Sequence, residues 1–155
     1  MKKVCLIFAF VLLVSCIPNT ELSYPIYVYN ETDNQSIGYY FAVGGRYASC
    51  YPDTLLPKDN KFVYNKNIKP MEHFHYDSQM RWDKVFQLLP KDTLSIFIFS
   101  SDTLNKYDWE EVRKGYKILK RYDLSSQDLD LLGYGVYYPP ITIMSRMKMY
   151  PKYGK

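Results

Sequence analysis

Residues 92–100, Asp-Thr-Leu-Ser-Ile-Phe-Ile-Phe-Ser, constrain the fold more than any other stretch. Extended, this segment places Leu94, Ile96 and Ile98 on one face and Phe97 and Phe99 on the other. A strand that is apolar on both faces has to lie centrally in a sheet covered on both sides. The rest of the chain must therefore supply flanking strands and two covering layers.

Flanking strands are legible. YPIYVYN, 24–30, reads as a strand with Tyr24, Ile26 and Val28 on one face and Tyr27 and Tyr29 on the other. IGYYFAV, 37–43, is a second, with Ile37, Tyr39, Phe41 and Val43 sharing a face and Gly44-Gly45 ending it. The polar link ETDNQS predicts a hairpin between them. From 50 to 79 the pattern weakens under Pro52, Pro57 and Pro70, with KFVYN as a short strand.

Helical signals concentrate later. MRWDKVFQLL, 80–89, predicts a turn or two with Trp82, Val85, Phe86 and Leu89 on one side, stopped by Pro90. Asp108 precedes WEEVRKGYKIL with Glu111 three residues on, a capping-box arrangement, and Trp109, Val112, Tyr116 and Leu119 follow at helical spacing. Ser125 and Asp128 repeat that grammar before Leu129 and Leu132, and Gly133 ends it. YGVYY, 134–138, reads as a strand broken by Pro139-Pro140. ITIMSRMKMY alternates again, with Ile141, Ile143, Met147 and Met149 together. It predicts an edge strand carrying Arg146 and Lys148, with a loose tail as the alternative. The triplet Asp-Thr-Leu, at 53–55, 92–94 and 102–104, reads each time as a turn leading into a strand. The sum predicts an α+β domain, a mainly antiparallel sheet with two or three short helices in the second half.

The amino terminus concerns location. Met1-Lys2-Lys3 precedes eleven apolar residues, Val4 to Val14. A bilayer core needs about 20, so this run suits a secretory signal rather than a span. Leu13-Val14-Ser15-Cys16 resembles the bacterial lipobox. That resemblance implies a diacylglycerol on the Cys16 sulfur, cleavage before Cys16 and acylation, with palmitate or a similar chain, of the new amine. Residues 1–15 are then a lipoprotein signal peptide, 16–23 a tether and 24–155 a single globular domain. Ile17 at the second mature position implies, by similarity to enterobacterial sorting, the outer membrane. Only Glu21 is acidic among residues 17–21, which favours the periplasmic face over the cell surface.

Composition narrows the chemistry. The formal charge of +4 drops to +2 once Lys2 and Lys3 leave with the signal, and a nucleic-acid partner loses its main support. Cys5 leaves too, Cys16 carries lipid, and Cys50 remains without a disulfide partner, expected to be buried as a small apolar residue. All 17 tyrosines lie after the signal, which suits half-buried strands and recognition surfaces alike.

His73 and His75 in EHFHYD are the weak metal candidates. Extended, they share a face, but an ion needs a third ligand such as Glu72 or Asp77, and a solvated loop is the simpler reading. Cys50 with a histidine lacks a nucleophile turn. Asp108, Glu110 and Glu111 could mimic a glycosidase pair but fit a helix start better. Gly44-Gly45-Arg46 is no phosphate loop. Trp82, Trp109 and the tyrosines could stack on sugars, though sheet packing explains them first. No cofactor is expected.

One longer resemblance exists. KDTLSIFIFSSDTLNKYDWEEVRKGYKILKRYDLSSQDL, then YPP and a terminal KMYPKYGK, with the lipobox and YPDTLL, is similar to small lipoproteins of unassigned role in Bacteroidota-type bacteria. It implies a lipid-anchored periplasmic or surface domain and carries over no catalytic residues. The expected function is a membrane-tethered, non-enzymatic module binding an envelope protein or glycan. The rivals are a carbohydrate-binding module using exposed Tyr and Trp, and a small hydrolase or metal-handling protein using His73 and His75.

Overall fold

The computed structural model describes residues 22–43, 51–53, 55–58 and 63–154. The signal stretch, Cys16, the tether as far as Glu21, Gly44-Gly45-Arg46 and Cys50 lie outside the described residues. Within them the order is β1 (Tyr24–Asn30), β2 (Ile37–Ala42), β3 (Val63–Ile68), β4 (His73–Ser78), α1 (Trp82–Leu88), β5 (Leu94–Ser100), α2 (Ser101–Lys106), α3 (Trp109–Lys114), β6 (Lys120–Leu124), α4 (Ser126–Leu131), β7 (Gly135–Tyr138) and β8 (Lys148–Tyr150). Short 3-10 turns occupy Pro90–Asp92 and Thr142–Arg146.

Strand β5 takes the centre its sequence demands. It is the middle strand of a five-stranded antiparallel sheet, β3-β2-β5-β6-β8. Leu94, Ile96 and Ile98 enter the main core with Ile37, Tyr39 and Phe41 of β2 and Tyr122 and Leu124 of β6. A three-stranded sheet, β4-β1-β7, closes that core with Ile26, Val28 and Val136, helped by Trp82, Val85 and Phe86 of α1 and Leu129 of α4. Phe97 and Phe99 point the opposite way into a second core with Tyr40, Ala42, Leu56 and Val112. The chain is α+β in three layers. Each fully buried Leu, Ile or Phe contributes about 1.5–3 kcal/mol, so β5 alone anchors both cores.

Tyrosine hydroxyls join the two sheets across the main core. Tyr122 of β6 donates to the carbonyl of Tyr137 in β7 at 2.7 Å, and Tyr39 of β2 donates to that of His75 in β4 at 3.0 Å. Burial pushes the Tyr122 phenol well above its ordinary value of 10.0. The unfolded chain therefore ionises Tyr122 first as the pH rises, and its contribution, intact below about pH 10, is lost above it. Tyr29, Tyr134 and Tyr138 are shifted the same way. Tyr122→Phe should cost about 1 kcal/mol at neutral pH through the lost hydrogen bond. Its urea midpoint should then fall less steeply than wild type between about pH 10 and 12; parallel slopes would contradict this account.

Several elements depart from their sequence reading. Strands β1 and β2 form no hairpin, because they belong to different sheets. The cause is Asn30, which is buried at the end of β1. Its amide donates to the carbonyls of Gln35 (2.7 Å) and Ile68 (3.0 Å), and its side-chain oxygen accepts from Thr32. The polar link folds around this residue and delivers β2 to the other sheet. Residues 73–78, read as a solvated loop, pair along their length with β1 as β4.

The helix at Trp109 stops at Lys114 rather than reaching Leu119. Gly115 weakens its end, Tyr116 takes a left-handed φ of 47°, and Leu119 donates to the Ile98 carbonyl on the way into β6. The third Asp-Thr-Leu is helical, within α2. At the carboxy end, Met144 and Met147 turn inward while Ile141 and Ile143 stay exposed, because 142–146 is a 3-10 turn and not a strand. Only Lys148–Tyr150 pairs, as the edge strand β8 against β6. Lys148 lies on that edge as expected, whereas Arg146 belongs to the turn.

Candidate functional site

The five-stranded sheet has a core on each face. Among the described residues the small sheet has one only on its inner face, and what lies on its outer face follows from pleat and register. Ile26 and Val28 point inward, so Tyr27 and Tyr29 must point outward. Register sets His75 opposite Tyr27 and His73 opposite Tyr29 on β4, and Gly135 opposite Tyr27 and Tyr137 opposite Tyr29 on β7. Five rings from three strands thus share one surface.

Their geometry is a stack with a flank. Tyr29 lies between Tyr137, at 4.7 Å and 11° between planes, and His73, at 5.1 Å and 34°. Tyr27 packs against His73 at 5.8 Å, His75 at 5.7 Å and Tyr29 at 6.2 Å. Partial burial, then the neighbouring Tyr137 and Tyr27 phenols and Glu31, raise the Tyr29 pKa, so its hydroxyl stays a neutral donor. Gly135 makes the room: a Cβ there would sit 3.0 Å from Tyr29 Cε2 and 3.3 Å from the Tyr137 hydroxyl. Gly135→Ala should change stability by less than about 1 kcal/mol, since the gain in strand rigidity offsets a small displacement of a ring tip. It should nevertheless part the Tyr29–Tyr137 stack, seen as altered ring-current shifts for both residues; unchanged shifts would mean the glycine is not what admits the stack.

His73 and His75 do share a face, as extended spacing requires. Among the described residues no group of three His, Cys, Asp or Glu is placed to hold a metal ion. His75 Nε2 instead lies 2.9 Å from Asp77 Oδ2, and the Ser23 hydroxyl donates to the other Asp77 oxygen. In this Ser-Asp-His order the carboxylate stands between hydroxyl and imidazole. The base therefore does not reach the hydroxyl, which nucleophilic catalysis requires.

Other residues singled out in the sequence are engaged elsewhere. Trp82 donates its indole N–H to the Tyr24 carbonyl at 2.9 Å, and Trp109 to that of Pro57 at 2.8 Å. Asp108 and Glu111 form the expected capping box of α3, and Ser125 and Asp128 that of α4. Glu110 hydrogen-bonds Arg113 and Lys114, which hold its carboxyl at about 2, far below the range of a general acid.

A cleft of about 490 Å³ opens beside this face, where Tyr27 and Tyr24 meet Arg81, Asp83 and Tyr134. Comparison with family models, curated proteins and solved structures finds no match to this chain. Sequence reading missed Gly135, Tyr137 and the cleft. The signal for the face was present as aromatic residues at alternate positions in 27–29 and 73–75, but uniting them needs the strand pairing.

Proposed function

We propose that this chain is a lipid-anchored lipoprotein of the cell envelope whose folded body is a non-enzymatic interaction module. Its outer small-sheet face contacts an envelope protein. The His73–Tyr29–Tyr137 stack carries the reading. Its rings spend their faces on one another, with Tyr29 and Tyr137 leaning together over Gly135. A sugar docks flat on a free ring face, whereas a protein surface takes ring edges and phenolic donors, and tyrosine is enriched in such interfaces. The surrounding polar rim, with Asp77, Glu31 and Ser23, fits the same pattern.

Anchorage rests on Leu13-Val14-Ser15-Cys16. Each buried CH₂ contributes about 0.8 kcal/mol, and two or more acyl chains hold a protein at a bilayer without a span. Among the described residues no helix is long and apolar enough to cross a membrane. The outer membrane, periplasmic face, is the proposed location.

Two measurements test the proposal. Mass spectrometry of the natural product should find Cys16 as a triacylated amino terminus, and Cys16→Ser should leave the membrane fraction. Photo-crosslinking in native envelopes should capture a discrete protein through positions 27–29 and 73–75, and lose it in Tyr29→Ala. An unmodified amino terminus, or a crosslinking pattern indifferent to Tyr29, would refute the corresponding half.

A further inference from the structure

We infer that the cleft between β1, α1 and the α4–β7 turn binds an uncharged oligosaccharide, beside the protein-contact face, which it meets at Tyr27 and Ser23. The cleft of about 490 Å³ shares Trp82, Asp83 and Tyr134 with a second of about 490 Å³ that extends along α1 and α4. The two adjoin at these three residues and together offer more room than one sugar ring needs. Such a groove suits a chain of sugars better than a compact metabolite.

The walls have the right chemistry. Tyr24 and Tyr134 are half-buried, and among the described residues no aromatic ring stacks on either. Each packs against the main core and also lines the cleft. Tyr134 is set there by an uncommon backbone: φ is 62°, directly after Gly133 at 56°. Left-handed geometry at a tyrosine costs on the order of 1 kcal/mol or more, and persists only where the surroundings enforce it. Here the Tyr134 amide donates to the Leu129 carbonyl, its carbonyl accepts from Tyr27, and its hydroxyl donates to Asp130 at 2.7 Å. The phenol is held rigid and its ring is presented to the groove.

Beside the rings stand planar polar groups that match vicinal hydroxyls. Arg81 Nε donates to Asp83 at 3.1 Å at one end, and Gln87 and Gln127 lie along the other. Charge selects among ligands. The two cations lining the groove, Arg81 and Lys91, face three carboxylates, Asp83, Asp92 and Asp130. That balance disfavours phosphates and uronic acids, and the open, polar-edged shape disfavours a lipid tail.

The test uses the full mature chain on an array of uncharged and uronate-containing oligosaccharides, followed by titration with the best uncharged binder. Uncharged glycans should bind, and Tyr134→Asn should weaken that binding at least tenfold. Asparagine tolerates the left-handed backbone, so this change removes the ring while keeping the turn. The exposed Gln87→Ala, which leaves the fold untouched, should weaken binding several-fold, and Tyr29→Ala should leave it unchanged. No uncharged ligand at millimolar concentration, binding of acidic glycans alone, or loss in Tyr29→Ala but not in Tyr134→Asn would each overturn the assignment. None of these outcomes bears on whether the neighbouring face binds protein.

Discussion

Replacing Arg121 with alanine is expected to cost about 3–5 kcal/mol, the range for breaking a buried ion pair from one side. Arg121 and Asp123 lie two apart on β6, and their side chains are 3% and 8% exposed. Arg121 Nε donates to Asp123 at 2.7 Å, and another guanidinium nitrogen donates to the Asp53 carbonyl at 3.0 Å. The guanidinium also lies 5.3 Å from the Phe97 ring centre. Ser95 donates to the same Asp123 oxygen at 2.7 Å. Without Arg121, Asp123 keeps, among the described residues, Ser95 and a distant Lys148 at 3.9 Å, and Asp53 loses a tie to the sheet. Urea titration would register the loss as a lower midpoint with little change in slope. Replacing both partners, Arg121→Met with Asp123→Leu, should restore most of it, because the harm lies in the stranded charge. A single variant within about 1 kcal/mol of wild type would show the pair to be solvated in solution.

Phe99→Ala should be nearly as damaging, at about 3–5 kcal/mol for a fully buried phenylalanine. Phe99 has no exposed surface and meets Trp109 edge-on at 5.9 Å. The cavity would open in the second core, while Ile98, its neighbour on β5, faces the first. The two tryptophans report on the cores separately, Trp82 from the first and Trp109 next to the second. Emission from Trp109, isolated in a Trp82→Phe background, should change with Phe99→Ala. Emission from Trp82, isolated in a Trp109→Phe background, should not. Equal perturbation of both would mean the cores are one cooperative unit.

Local rules made part of this fold legible. A two-faced apolar strand, alternating β1 and β2, and two capping boxes are decided by neighbours in sequence, and they stand where expected. The failures share a physical origin in long-range pairing. Strand β6, Lys-Arg-Tyr-Asp-Leu, carries three charged residues and is not among the strands read from sequence, yet mutual compensation buries Arg121 and Asp123, and Lys120 reaches the Pro151 carbonyl. Strand β4 alternates His73, Phe74, His75 and Tyr76, but Phe74 stays exposed and no buried apolar face marks it as a strand. The β1–β2 hairpin failed because one buried Asn30 outweighs a turn-like link. At the candidate site, the shared face of His73 and His75 followed from spacing alone. That their neighbours are tyrosines of β1 depends on the antiparallel β1–β4 pairing, and that Tyr137 joins the stack depends on the parallel β1–β7 pairing.

Strand β1 is the first strand among the described residues and the middle strand of the small sheet. Tension entering through the residues before Tyr24 would run along its axis, against six registered partners in β4 and four in β7 simultaneously. Such loading shears hydrogen bonds in parallel instead of peeling them one by one, and resistance to force is governed by the unfolding rate. A body tugged from its amino-terminal end is thus gripped by a strand paired along both edges, and the surface it offers should keep its shape under strain.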